Sequence, residues 1–202
     1  VTTAPVTPAP QAEAAALAGV TPLLLDLAAD LTELLEEDGQ AFVKQDLDAV
    51  RERVHRELGV RLPTFRVRTG CPLAPRSYVL CVDEVPAGKG QLPEGALFAL
   101  GPAGLGDGAV PSVDALGRTV TPVPTSEREA VAACGVPLRT RRALLVDHLV
   151  ALAKKRASAF LGVQEVQASL TELERSAPAL VKEALHKVPL PLLTDVLKRL
   201  LV

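Results

Sequence analysis

The chain has 202 residues, 48% of them hydrophobic, which is enough to bury a real core in one or two compact units. Aromatic residues make up 2%, with no Trp, so stacking platforms for single-stranded nucleic acid are scarce and any core must be built from Leu, Val and Ala. Lys plus Arg (22) nearly balances Asp plus Glu (24), which excludes steering of polyanions or membrane surfaces by net charge; no nucleic-acid partner is expected.

The chain opens on "VTTAPVTPAP" and contains no Met, which predicts an excised fragment. Residues 1–21 read as an extended Pro/Ala linker. "LLLDLA" (Leu23 to Ala28) is a short apolar run between Pro22 and the acidic turn Glu36–Asp38, and it predicts a buried strand. Leu47, Val50, Val54 and Leu58 repeat at helical spacing, with Gly59 placed for a left-handed C-terminal cap. "TFRVRT" alternates Phe65 and Val67 with polar residues, as a half-buried strand does. "SYVLCVDEVPAGKGQL" predicts a hairpin turning at Asp83–Glu84, "GALFAL" another strand, "GPAGLGDG" a loop and "TVTPVP" a last edge strand.

From Ser126 onward only helices are expected. Ser126 and Glu129 have capping-box spacing before "AVAAC", and Gly135 closes that helix. Thr140 caps a long helix carrying Leu145, Leu149, Leu152 and Phe160 as far as Gly162. A second helix carries Val163, Val166, Leu170 and Leu173; Ser176 and Pro178 start a third, and Pro191 lies in the first turn of a fourth. The fold class is therefore α+β: a mixed unit followed by a helical one.

Residues with catalytic chemistry are assigned plainer roles. "GPAGLGDG" lacks the Lys-Ser/Thr of a phosphate loop. His55, His148 and His186 have no second ligand at helical spacing, and Cys71, Cys81 and Cys134 show no C-x-x-C pattern, so neither metal nor cofactor is expected. Cys81 and Cys134 read as small core residues, Ser126 and Thr140 as helix caps, and Glu36, Glu37 and Asp38 as solvated carboxylates. "RTRR" (Arg139 to Arg142) opposes a helix dipole, which leaves two readings open: a solvated basic turn, or a contact with acidic groups on a neighbour.

In order, "LLLDLAADLTELLEEDG", "VRERVHRELGVRLPTFRVRT", "PRSYVLCVDEVPAGKGQLPEGALFALGP", "VDHL" and "FLGVQEVQASL" resemble the cytoplasmic part of the FlhA/SctV family, the large export-gate protein of flagellar and virulence-associated type III secretion systems. The resemblance implies a first α/β subdomain over 22–75 and 118–136, a small inserted α/β subdomain over 76–117 and a helical subdomain over 137–202, with a fourth subdomain absent. It implies no enzyme activity. A parent protein embedded in the bacterial inner membrane through a missing N-terminal region is expected, with this part on the cytoplasmic face.

The implied partners are further copies in a homo-oligomeric ring of nine, export chaperone–substrate complexes, and other export-apparatus proteins. "VDALG" aligns with the family's groove motif, which gives Asp114, Leu116 (in place of an aromatic) and Gly117 as groove residues, with Pro137 at a further groove position. The outward polar groups Arg139, Arg141, Arg142, Lys154, Lys155, Arg156, Gln164 and Glu165 are implied at the subunit interface. The reduced "TVTPV" strand and "GVQE" in place of "GRQE" point to the virulence branch. A flagellar counterpart and a free-standing protein-binding adaptor are the alternatives.

Overall fold

The computed structural model describes residues 20–33, 42–101 and 110–201. Most of the expected linker, the trio Glu36, Glu37 and Asp38, and nearly all of "GPAGLGDG" lie outside the described residues. Two four-stranded sheets carry the first two-thirds of the described chain, and helices follow.

Strand β1 (Leu23–Ala28) is buried at all six positions because it is an inner strand, flanked by β2 (Arg66–Cys71) in parallel and β3 (Ser77–Val82) antiparallel. Helix α1 (Leu47–Leu58) makes the crossover that a parallel pair requires. It buries Leu47, Val50 and Val54 and ends as expected at Gly59, whose φ of 71° lets its N–H reach the His55 carbonyl at 2.7 Å. A π-helical turn, Phe42–Asp46, leads into α1, and it was not legible in the sequence. The β3–β4 hairpin (β4, Val85–Gln91) turns on Asp83 and Glu84 at φ 50° and 65°, the paired left-handed geometry that matches strand twist.

The second sheet has the order β6-β7-β5-β8, built from β5 (Leu97–Leu100), β6 (Ser112–Val113), β7 (Thr119–Pro122) and β8 (Leu138–Thr140). Strand β8 corrects the expectation of helices alone after Ser126: Leu97, Phe98 and Ala99 pair with Thr140, Arg139 and Leu138. The sheets also divide the chain differently from the expected inserted unit at 76–117. The β3–β4 hairpin joins the sheet of β1, and β5 and β6 join β7 and β8, because ladder pairing ignores that boundary.

The Ser126–Glu129 capping box does not form. Residues Thr125–Glu127 make a 3-10 turn, and α2 (Arg128–Ala133) begins after Glu127 without a side-chain cap. Cys134, expected in the core, is exposed where α2 ends; Cys81 is buried. Helix α3 (Arg141–Lys155) is capped as expected, with Thr140 Oγ1 accepting from the Ala143 N–H at 3.1 Å, but it stops before Phe160, and Ala157–Phe160 is a 3-10 turn. The helices α4 (Val163–Glu174), α5 (Pro178–Lys187) and α6 (Leu190–Leu200) follow. Ser176 does not cap α5, whose N-cap is Ala177; its hydroxyl donates back to Leu173 instead.

One large core joins β1, β3, α1 and α3 to Phe98 and Val120 of the second sheet. Helix α3 lies on β4 at two glycines. A Cβ at Gly88 would come within 2.4 Å of Leu152, and one at Gly90 within 2.4 Å of Tyr78 Oη and 2.9 Å of His148 Nδ1. Positions 88 and 90 share a strand face, and 148 and 152 share a helix face, so the two periodicities mesh there.

Candidate functional site

The β6–β7 turn gathers three of the four expected groove residues. Asp114 is 7% exposed and points inward, where its Oδ1 accepts the N–H groups of Leu116 and Arg118, both at 2.9 Å. Its Oδ2 lies 2.7 Å from both Nε and Nη2 of Arg118. The backbone closes the same turn through Asp114 N–H to Arg118 O (2.9 Å) and Gly117 N–H to Asp114 O (3.0 Å), with Gly117 at φ 76°. Asp114 is thus committed to folding its own turn, as Asp commonly is at such positions. What it leaves outside is Leu116, 36% exposed; Val113 (67%) and Val110 (78%), just before the turn, form an exposed apolar rim.

Beside this rim lies a cleft of about 690 Å³ whose lining includes Arg76, Leu92, Val110, Val113 and Asp114. Pro137 is on the other side of the sheet. Its carbonyl accepts the Leu100 N–H (3.1 Å) at the end of β5, while the Gly101 N–H bonds Thr119 O (2.9 Å) at the start of β7. The turn and Pro137 therefore share one end of the second sheet, two to three strand spacings apart, or about 10–14 Å.

Arg118 carries the turn to the helices. Its Nη1 reaches Asp147 of α3 at 3.1 Å, and Asp147 also faces Arg53 of α1 (3.6 Å) and Arg139 of β8 (3.7 Å). Burial works against the Arg118 charge, but hydrogen bonds and charge from Asp114 and Asp147 outweigh it and raise its pKa. Arg53 continues to Glu57, which also pairs with Lys154. Hydrogen bonds from Lys154 and Arg53 hold the Glu57 carboxyl below the usual carboxylate range. Neither Arg118 nor Asp147 was singled out from the sequence. "VDALGR" could have flagged Arg118 as the i+4 partner of Asp114, but the meeting with Asp147 is tertiary.

The expected subunit-interface residues do not share one environment. Arg139, Arg142 and Lys154 have partners within the chain: Asp147, Asp46 and Glu57. Arg142 also stacks over Phe42, 6.0 Å from the ring centre. Glu165 accepts the Gly162 N–H at 2.8 Å, so it caps α4. Lys155, Arg156 and Gln164 are exposed. Arg141 Nε is buried without a hydrogen-bond partner, at the edge of a cleft of about 750 Å³ lined also by Ala96, Leu138 and Val146. Among the described residues there is no cluster of three His, Cys, Asp or Glu able to hold a metal, and no helix long and apolar enough to cross a membrane.

The FHIPEP family model matches residues 2–202, nearly the whole chain. The chain belongs to the FHIPEP family. This family member is 27% identical over 198 residues to the low calcium response locus protein D of Yersinia pestis, an alignment covering 93% of the chain and 27% of that protein. Its fold matches the Chlamydia pneumoniae CdsV protein in its complex with CdsO, with a TM-score of 0.79 and 27% identity over 91% of this chain and 55% of that one. It also matches the nonameric EscV cytosolic domain from the type III secretion system, at TM-score 0.63 and 22% identity over 90% of this chain and 53% of that one. The FHIPEP chain thus spans about a quarter of the Yersinia relative's length and about half of each solved chain. Family and fold together make it a FHIPEP-family region of mixed α/β and helical parts.

Proposed function

We propose that this region is a non-enzymatic assembly platform at the cytoplasmic face of the bacterial inner membrane, which forms a ring and docks chaperone–substrate complexes for export. The observation that carries the docking half is the β6–β7 turn: Asp114 and Arg118 are used internally, Leu116 is left exposed, and Val113 and Ala115 of the same segment line a cleft of about 690 Å³. A small apolar contact on a rigid, charge-braced turn suits weak and releasable docking, as a transport station needs. The ring half is supported by the fold shared with the nonameric EscV cytosolic domain. Lys155, Arg156 and Gln164 are the polar groups open to a neighbouring copy, which suits them to setting register.

The test is calorimetric titration of a chaperone–cargo complex from the same export system into the wild-type chain and Leu116→Asp. Leu116 is exposed and belongs to none of the buried core clusters, so the variant should keep its melting temperature while capture falls about tenfold or more. Equal capture by both proteins would remove this turn as the docking point. For the ring, native mass spectrometry of the parent's whole cytoplasmic region should show smaller assemblies after charge reversal at Lys155 and Arg156 together. Intact rings would overturn the assigned contact.

A further inference from the structure

Three elements meet at a polar pair that the docking reading does not use. Tyr78 of β3 is fully buried, and its hydroxyl lies 2.6 Å from Nδ1 of His148 on α3, itself 6% exposed, with the two rings edge to face at 5.6 Å. Both side chains rest on the backbone of Gly90 in β4, close enough that a single added carbon there would overlap them. No water fits between them at that spacing.

Burial pushes the Tyr78 phenol well above its ordinary range, with the Asp114 carboxylate adding to the effect, so the hydroxyl is protonated and acts as donor. Nδ1 is the side-chain partner of that hydroxyl, so pairing the buried O–H uses the Nδ1 lone pair and places the proton of the neutral imidazole on Nε2. The charged groups facing this pair are Asp114 and Arg118, both from the β6–β7 turn. Asp114 favours an imidazolium and Arg118 opposes it, while burial, the largest influence, disfavours it. Asp114 cannot turn toward the ring without giving up bonds to Leu116 and Arg118 that hold its turn.

We propose that the Tyr78–His148 hydrogen bond is an acid-sensitive latch, which seats α3 and the β6–β7 turn on the β3–β4 hairpin and opens this seam when the imidazole is protonated. A proton on Nδ1 turns that nitrogen into a donor, so Tyr78 Oη must accept and its own O–H loses its acceptor, beside a buried charge, in a site closed by Gly90. The mismatch is relieved by α3 lifting from β4 or by Asp114 leaving its turn. The sign follows from the depressed folded pKa. Below pH 6.5 the unfolded or opened chain binds more protons than the closed one, so closure is favoured above that pH and weakens as pH falls through the folded value. Each unit of depression raises the open population about tenfold once pH is below both values.

The test uses the 202-residue chain at about pH 7.5 and about pH 5.5, the span across which histidine changes charge. Hydrogen exchange, corrected for its intrinsic pH dependence, should quicken on acidification in the peptides covering β4, residues 114–118 and the first half of α3. In His148→Gln, which can accept from Tyr78 but does not titrate, that acid-dependent increase should vanish. If His148→Gln does not fold, Tyr78→Phe decides: exchange in the same peptides should already be raised at the higher pH, and the difference between the two pH values should shrink. An NMR titration of labelled histidine should find His148 as the Nε2–H tautomer, titrating below the ordinary histidine value. An unchanged acid response in either variant, or His148 titrating at or above the ordinary histidine value, overturns the latch.

Discussion

The sheet-bearing body and the terminal helices solve the burial problem differently. In the body, Leu23, Leu25, Leu27, Tyr78, Phe98, Leu145 and Leu149 are 0% exposed, and ion pairs lace its surface from Asp114 through Arg118, Asp147, Arg53 and Glu57 to Lys154. The cluster under α4 and α6 has only four buried members, Val60, Ala157, Leu161 and Val166, and relies on half-buried leucines for the rest. Leu180, Leu192, Val196 and Leu200 stay exposed, Leu200 at 75%. The body is built to hold its own shape. The terminal helices gain less from internal burial, so their local stability is lower.

The sharpest way to break that contrast is a pair of truncations. Leu145→Ala empties a fully buried site between the sheets and α1, and should cost about 3–5 kcal/mol in denaturant unfolding. Leu192→Ala, on the exposed face of α6, should stay within about 0.5 kcal/mol. Equal losses would mean that the two regions form a single cooperative core. Next in size is Gly90→Ala. Its new carbon would overlap Tyr78 and His148, and it should cost about 1–3 kcal/mol, read as a lowered denaturation midpoint at unchanged slope.

Asp114→Ala should cost about as much, at about 1–3 kcal/mol, because two backbone N–H groups and the Arg118 guanidinium lose a charged acceptor. The resemblance assigns Asp114 to the docking groove, where truncation would reduce capture alone. Its hydrogen bonds assign it to stability first. A double cycle with Arg118→Ala should return a coupling of about 0.5–3 kcal/mol, and additive losses would show the pair to be incidental.

How far the sequence discloses this structure depends on how local each feature is. The β1 run, the α1 stripe with its Gly59 cap, the Asp83–Glu84 turn and the Thr140 cap were legible, since neighbours within a few residues determine each one. Strand β8 was not, because three residues, "LRT", carry no periodicity and become a strand only against β5. The capping-box pattern at Ser126–Glu129 misled because Pro124 starts a 3-10 turn first. At the site, "VDALG" was read only through its resemblance to a groove motif, and neither its turn nor the direction of Asp114 was legible. Whether a carboxylate faces a partner or its own backbone is settled by Arg118 and Asp147, the latter 33 residues further on.

The smallest effect concerns the ionic lacing itself. Glu57 takes Arg53 at 3.0 Å and also Lys154, and its side chain is 38% exposed, so solvent and salt screen most of the attraction. Its folded pKa is depressed, so whatever stability it contributes is present above the usual carboxylate range and lost as pH falls through it. Glu57→Gln should therefore lower the melting temperature slightly at neutral pH, and the gap from wild type should close in acid and at high salt. A gap that persists under both conditions would mean that Glu57 acts through packing between α1 and α3, and the contrast between the body and the terminal helices would then rest on burial alone.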